Sequence, residues 1–159
     1  MKRNKVSKLV ALCLAAVLCI CLLLLFTIPR QFSKLLSPGL DDWELTGVFL
    51  DVSAPDNAPP RKVRIEDEER LLEFAELIRS LDVTFSGFYR GITFSNKLYS
   101  VFPEIPQPEA RLNIFHIESG QSYVYTDGKK YKMSEADAER IIEFLETCAA
   151  EGTPVAPNA

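Results

Sequence analysis

The sequence predicts an α+β protein: one N-terminal transmembrane helix, then a small domain whose antiparallel sheet is packed by two helices. Three observations carry this. Residues 9–28 form an apolar run with no charge, no Gly and no Pro. Residues 67–81 and 134–149 place apolar side chains at helical spacing. The remaining strand-like segments come in adjacent runs rather than in strict βαβ alternation.

The first run reads LVALCLAAVLCICLLLLFTI, and thirteen of its twenty residues are Leu, Val, Ile or Phe. Twenty helical residues rise roughly 30 Å, the thickness of a bilayer's hydrocarbon core. A helix satisfies its own backbone hydrogen bonds, so such a run can cross lipid alone. A cleaved signal peptide has a basic start, a shorter apolar run and a small-x-small cleavage site. Here the basic start is present (Lys2, Arg3, Lys5, Lys8), but the run is long and no such site follows it. Nor is there a lipobox, since Leu12, Leu18 and Ile20 precede the three cysteines. The excess of basic residues before the run predicts a cytoplasmic N-terminus. The expected layout is a basic tail at 1–8, a membrane helix at 9–28, a juxtamembrane linker at 29–42, an extracytoplasmic domain at 43–150 and a disordered tail at 151–159. The lipid bilayer is then a partner through residues 9–28.

After residue 8 the chain carries 14 basic and 22 acidic side chains, a net of −8. Such a surface is poor for nucleic acid, which attracts basic patches. Cys13, Cys19 and Cys21 lie in the apolar run, leaving Cys148 without an intrachain partner in the domain. No disulfide framework is possible there, so a hydrophobic core must hold the fold.

In chain order, residues 30–36 can form an extra helical turn along a headgroup interface, with Phe32, Leu35 and Leu36 on one side. Residues 42–52 predict a strand in which Gly47 marks a bulge or close approach. Three prolines at 53–60 predict a loop, and 61–65 a second strand. Asp67 can cap a helix over 67–81, with Leu71, Phe74, Ala75, Ile78 and Leu81 as its apolar face. Residues 83–102 predict two strands broken by Gly87, Gly91 and Asn96. Residues 111–118 and 121–126 read as strands, and Asp127-Gly128 as a hairpin turn into 129–132. Ser134 with Asp137 resembles a capping box for the last helix.

Six aromatics crowd 83–102: Phe85, Phe88, Tyr89, Phe94, Tyr99 and Phe102. A core sheet is the favoured reading, because a small domain needs large residues to fill it. The other reading is an exposed aromatic surface for a ligand or partner. On that second reading the surface consists of Phe88, Tyr89, Tyr123, Tyr125 and Tyr131.

Catalytic chemistry has little to work with. His116 is the sole imidazole, so any Ser–His or Cys–His mechanism must use it. Strand alternation makes it a partly buried, hydrogen-bonded residue instead. One His and one domain Cys cannot make a conventional zinc site. No phosphate-binding glycine loop, dinucleotide fingerprint or nucleophile elbow occurs. No catalytic residue, cofactor or metal is therefore expected.

Residues 123–146 (YVYTDGKKYKMSEADAERIIEFLE) carry an aromatic strand, a DG hairpin, a cap and an amphipathic helix. Together with the capped helix 67–81, they resemble small extracytoplasmic α+β domains of unknown function tethered to Gram-positive membranes. The resemblance implies a non-enzymatic envelope domain and carries no functional residue across. The expected function is a membrane-held binding or sensing domain, partnered by an envelope protein or ligand. The alternatives are an envelope hydrolase using paired carboxylates and an accessory subunit of a membrane complex.

Overall fold

Strand pairing begins at Arg30, and from there the chain builds one nine-stranded antiparallel sheet with helices attached. The structure is a computed structural model that describes residues 3–37, 43–55, 59–106 and 112–155, and within the first helix the side chains of 10–24 and 27. Helix α1 (Arg3–Thr27) leads into β1 (Arg30–Gln31) and the short α2 (Phe32–Leu36). Strands β2 (Gly47–Ser53) and β3 (Arg61–Ile65) follow, then α3 (Glu68–Ser80). Next come β4 (Asp82–Phe88), β5 (Leu98–Glu104), β6 (Phe115–Glu118), β7 (Tyr123–Thr126) and β8 (Lys129–Lys132). Helix α4 (Glu135–Glu151) and β9 (Thr153–Pro154) close the fold.

The expected fold class is corrected in two respects. Among the described residues there are a nine-stranded sheet and four helices, where a transmembrane helix and an antiparallel sheet packed by two helices were expected. Among the described residues, no helix is long and apolar enough to cross a membrane. That finding overturns the expected single-pass anchor and the membrane localisation drawn from it, with the N-terminus inside and the domain outside.

Residues 30–36 also differ from the expected linker. Phe32 and Leu36 are fully buried, and β1 pairs with β4 through Arg30–Val83 and Gln31–Asp82. An amphipathic turn next to an open core edge buries its apolar side there, which removes more apolar surface from water than an interface would. At the other end, Thr153 and Pro154 pair with β3, and Val155 donates its N–H to the Lys62 carbonyl. Part of the expected tail is thus a strand, while 156–159 and the linker residues 38–42 lie outside the described residues.

Helices α3 and α4 begin at their expected caps. The Asp67 side chain accepts from the Arg70 N–H at 3.0 Å, and Ser134 Oγ from the Asp137 N–H at 3.0 Å. Each satisfies one of the donors a helix start leaves open. Asp127 and Gly128 both take positive φ, 48° and 68°, as a type I′ hairpin requires. Gly47 is a close approach: an added Cβ would lie 2.8 Å from Glu104 Oε2.

The strand order is β1-β4-β8-β7-β6-β5-β2-β3-β9. Four connections must therefore cross the sheet: β3 to β4 through α3, β8 to β9 through α4, β4 to β5 through residues 89–97, and β1 to β2 by way of α2. Helices α3 and α4 share one face. Their buried residues (Phe74 and Ile78 of α3, Ile141, Phe144 and Leu145 of α4) join Leu50, Val101, Phe115, Ile117 and Val124 of the sheet in one core. Phe115 sits at its centre, with Phe32 edge-on at 5.2 Å and Phe74 stacked at 6.3 Å. Phe144 stacks on Phe74 in turn, at 5.6 Å.

Candidate functional site

The third crossing takes the other face. The Tyr89 N–H donates to the Gly128 carbonyl in the β7–β8 turn. Further on, the N–H groups of Ser95 and Asn96 donate to Glu118 Oε1 at 2.7 and 3.0 Å, beside the β6–β7 turn. Those turns lie at opposite ends of β7, so residues 89–97 run along the sheet as an irregular strap. Glu118 and Leu98 alternate with core residues and so point away from the helices, yet they are only 6% and 8% exposed. The strap covers them.

Beside the strap, cross-strand pairing sets a row of polar and aromatic side chains on the helix-free face. Asp51 opposes Ser100, Ser100 opposes His116, His116 opposes Tyr125, and Tyr125 opposes Lys130. Directly opposed residues share a face. Tyr123 lies two residues before Tyr125 on the same face, and Tyr89 reaches it from the strap. The Tyr89 and Tyr125 rings meet edge to face at 5.2 Å. Lys130 Nζ sits 3.7 Å from the Tyr123 ring centroid and 5.8 Å from that of Tyr125. The cation faces the negative side of a ring quadrupole. Burial pushes the Tyr89 and Tyr125 hydroxyls above their ordinary range, so both stay protonated donors.

The five residues expected as a surface divide. Tyr89, Tyr123 and Tyr125 come together as described. Tyr131 opposes Val124, is 3% exposed and belongs to the core, its ring edge-on to Phe85. The reason is alternation: Tyr131 is one residue from Lys130 and so faces the helices. Phe88 is 78% exposed but follows a register shift between Phe85 and Gly87, and its ring meets Phe85 at 5.2 Å on the helix side. Of the aromatics in 83–102, Tyr99 is buried and Phe85 packs against the core, while the others are half-buried or exposed. Ser100, His116 and Lys130 were not singled out as surface residues. Only the register of β5, β6, β7 and β8 places them beside the tyrosines.

His116 Nδ1 and Ser100 Oγ are 2.9 Å apart, the contact a base makes with a hydroxyl nucleophile. The order of the row denies it a triad. Asp51 lies beyond Ser100 rather than beside the imidazole, and at 3.9 Å it pairs with Lys62. Burial lowers the pKa of His116 below its ordinary value, so the ring is neutral at pH 7. The pair then serves as a hydrogen-bonding patch.

Carboxylates converge elsewhere, in a groove of about 510 Å³ between α3 and α4 lined by Glu73, Glu76, Glu143, Arg70 and Arg140 over Leu77 and Phe144. All three glutamates are exposed, and Glu73 is paired with Arg70 at 2.9 Å. An open groove lacks the desolvation that keeps a general acid protonated. Among the described residues, no group of His, Cys, Asp and Glu could hold a metal ion. Cys148 is buried, and burial pushes its thiol up to about 11. It is a packed, unreactive side chain.

No family model, no curated protein and no solved structure matches this chain.

Proposed function

We propose that this domain is a binding module that holds its ligand against the helix-free face of the sheet, at Tyr89, Tyr123, Tyr125 and Lys130. One observation carries the reading. Two segments far apart in sequence, the strap and the β7–β8 hairpin, deliver three half-exposed tyrosines and a lysine to one spot. Aromatic rings with polar ends supply contact area at small entropic cost, which is why they mark recognition surfaces. The rest of that face contributes the Ser100–His116 pair rather than a catalytic centre.

The test is amide chemical-shift mapping on the full chain during titration with glycan, peptide and small-molecule panels. Binding should perturb residues 89, 123, 125 and 130 first. Perturbation confined to α3 and α4 would move the site to the opposite face and defeat the proposal.

A further inference from the structure

Resting on that reading, we infer that the ligand of the tyrosine face is an anionic glycan, a sugar polymer whose rings carry carboxylates. Three observations point to it. The first is main-chain accounting. Strands β6, β7 and β8 are interior, each hydrogen-bonded on both sides. An extended peptide cannot add to them as a further strand, so the ligand is recognised by side chains alone.

The second is charge. Lys62, Lys97 and Lys129 pair with Asp51, Glu146 and Asp127. Lys130 and Lys132 share the tyrosine face, and among the described residues neither has a carboxylate partner. Lys130 rests over the Tyr123 ring, so in a chain of net charge −4 neither lysine's charge is neutralised by a carboxylate and both remain for an anion. The rest of the acidic surface repels a polyanion and so confines it to this spot.

The third is the mixture of groups. The electron-rich face of Tyr125 suits the weakly positive C–H face of a pyranose ring, and Lys130 over the Tyr123 ring sets a cation beside it. The tyrosine hydroxyls, Ser100 and His116 offer hydrogen bonds to sugar hydroxyls. A uronic acid presents a C–H face, hydroxyls and a carboxylate within one ring, which is the set this surface complements.

The experiment titrates the full chain with three probes: oligogalacturonate, its methyl ester and poly-glutamate. Oligogalacturonate should bind with shifts at residues 123, 125 and 130. The ester, which keeps the ring and loses the charge, should bind at least about tenfold more weakly, as should the variant K130Q/K132Q with the acid form. Raising salt should weaken binding of the acid form. Equal binding of acid and ester overturns the anionic part. Equal binding of poly-glutamate at the same residues overturns the glycan and leaves the binding face standing. No binding of any probe at millimolar concentration also removes the glycan, whereas shifts only on α3 and α4 remove the face itself. Should K130Q/K132Q perturb the fold, K132Q alone serves, since Lys132 is exposed.

Discussion

Tyr99 donates its hydroxyl to Glu146 Oε1 at 3.0 Å and so ties the start of β5 to α4. Tyr99 is 1% exposed. Burial drives its hydroxyl far above the ordinary tyrosine range, and the carboxylate beside it adds to the effect. The same hydrogen bond, helped by Lys97, holds Glu146 below the ordinary carboxylate range. Glu146→Ala should orphan a buried hydroxyl and cost about 1–3 kcal/mol. Adding Tyr99→Phe should recover most of that loss, because the orphan is gone. Lys97→Ala, which removes only the exposed ion pair, should cost less than about 1 kcal/mol. Urea denaturation of the four proteins measures all three values.

Two phenylalanines should respond very differently to truncation. Phe32 is fully buried against Phe115, so Phe32→Ala should cost about 3–5 kcal/mol. Phe88 is 78% exposed, and Phe88→Ala should stay within about 0.5 kcal/mol. A small effect at Phe32 would show that α2 is an accessory to the domain and not part of its core.

Gly152 is needed for space. An added Cβ would sit 2.7 Å from the Cys148 carbonyl and 3.1 Å from Val63 Cβ. The first neighbour is backbone and cannot swing aside, so Gly152→Ala should cost about 1–3 kcal/mol and loosen β9 from β3. Gly91 in the strap has open space around its Cβ position, and Gly91→Ala should be neutral or mildly stabilising. Hydrogen exchange at Val155, whose N–H bonds Lys62, reports the β9 effect directly.

His116 makes stability depend on pH with a definite sign. Burial lowers its folded pKa below the ordinary 6.5, so below that value the unfolded chain binds the extra proton. The contribution is complete above about pH 6.5 and is lost as pH falls through the folded pKa. Replacing His116 by Gln, which keeps a hydrogen-bonding group for Ser100, should flatten that part of the acid limb in thermal melts between pH 7 and 5. An unchanged acid limb would mean that the loss comes from other groups.

Residues whose signals are local were legible in the chain itself. Asp67 and Ser134 announced helix starts because a cap needs only the next three residues. Asp127-Gly128 announced a hairpin because both residues tolerate positive φ. The apolar period of α3 matched its buried face, with Leu71, Phe74, Ala75 and Ile78 all inside. The strap was not legible. Nothing in YRGITFSNK says which strands it joins or which face it crosses. The place of Phe32 is illegible for the same reason, since a short amphipathic turn suits any apolar surface.

The tyrosine face shows where the boundary lies. Alternation alone guarantees that Tyr123 and Tyr125 share a face and that Tyr131 and Lys130 do not, because side chains along a strand have a period of two. It cannot say which face the helices will cover, or which strand will lie beside which. That choice fell to the order of nine strands and to α3 and α4, which bury one face around Phe115. Burial of the larger apolar area decided it, and the side chains on the other face remained available to a ligand.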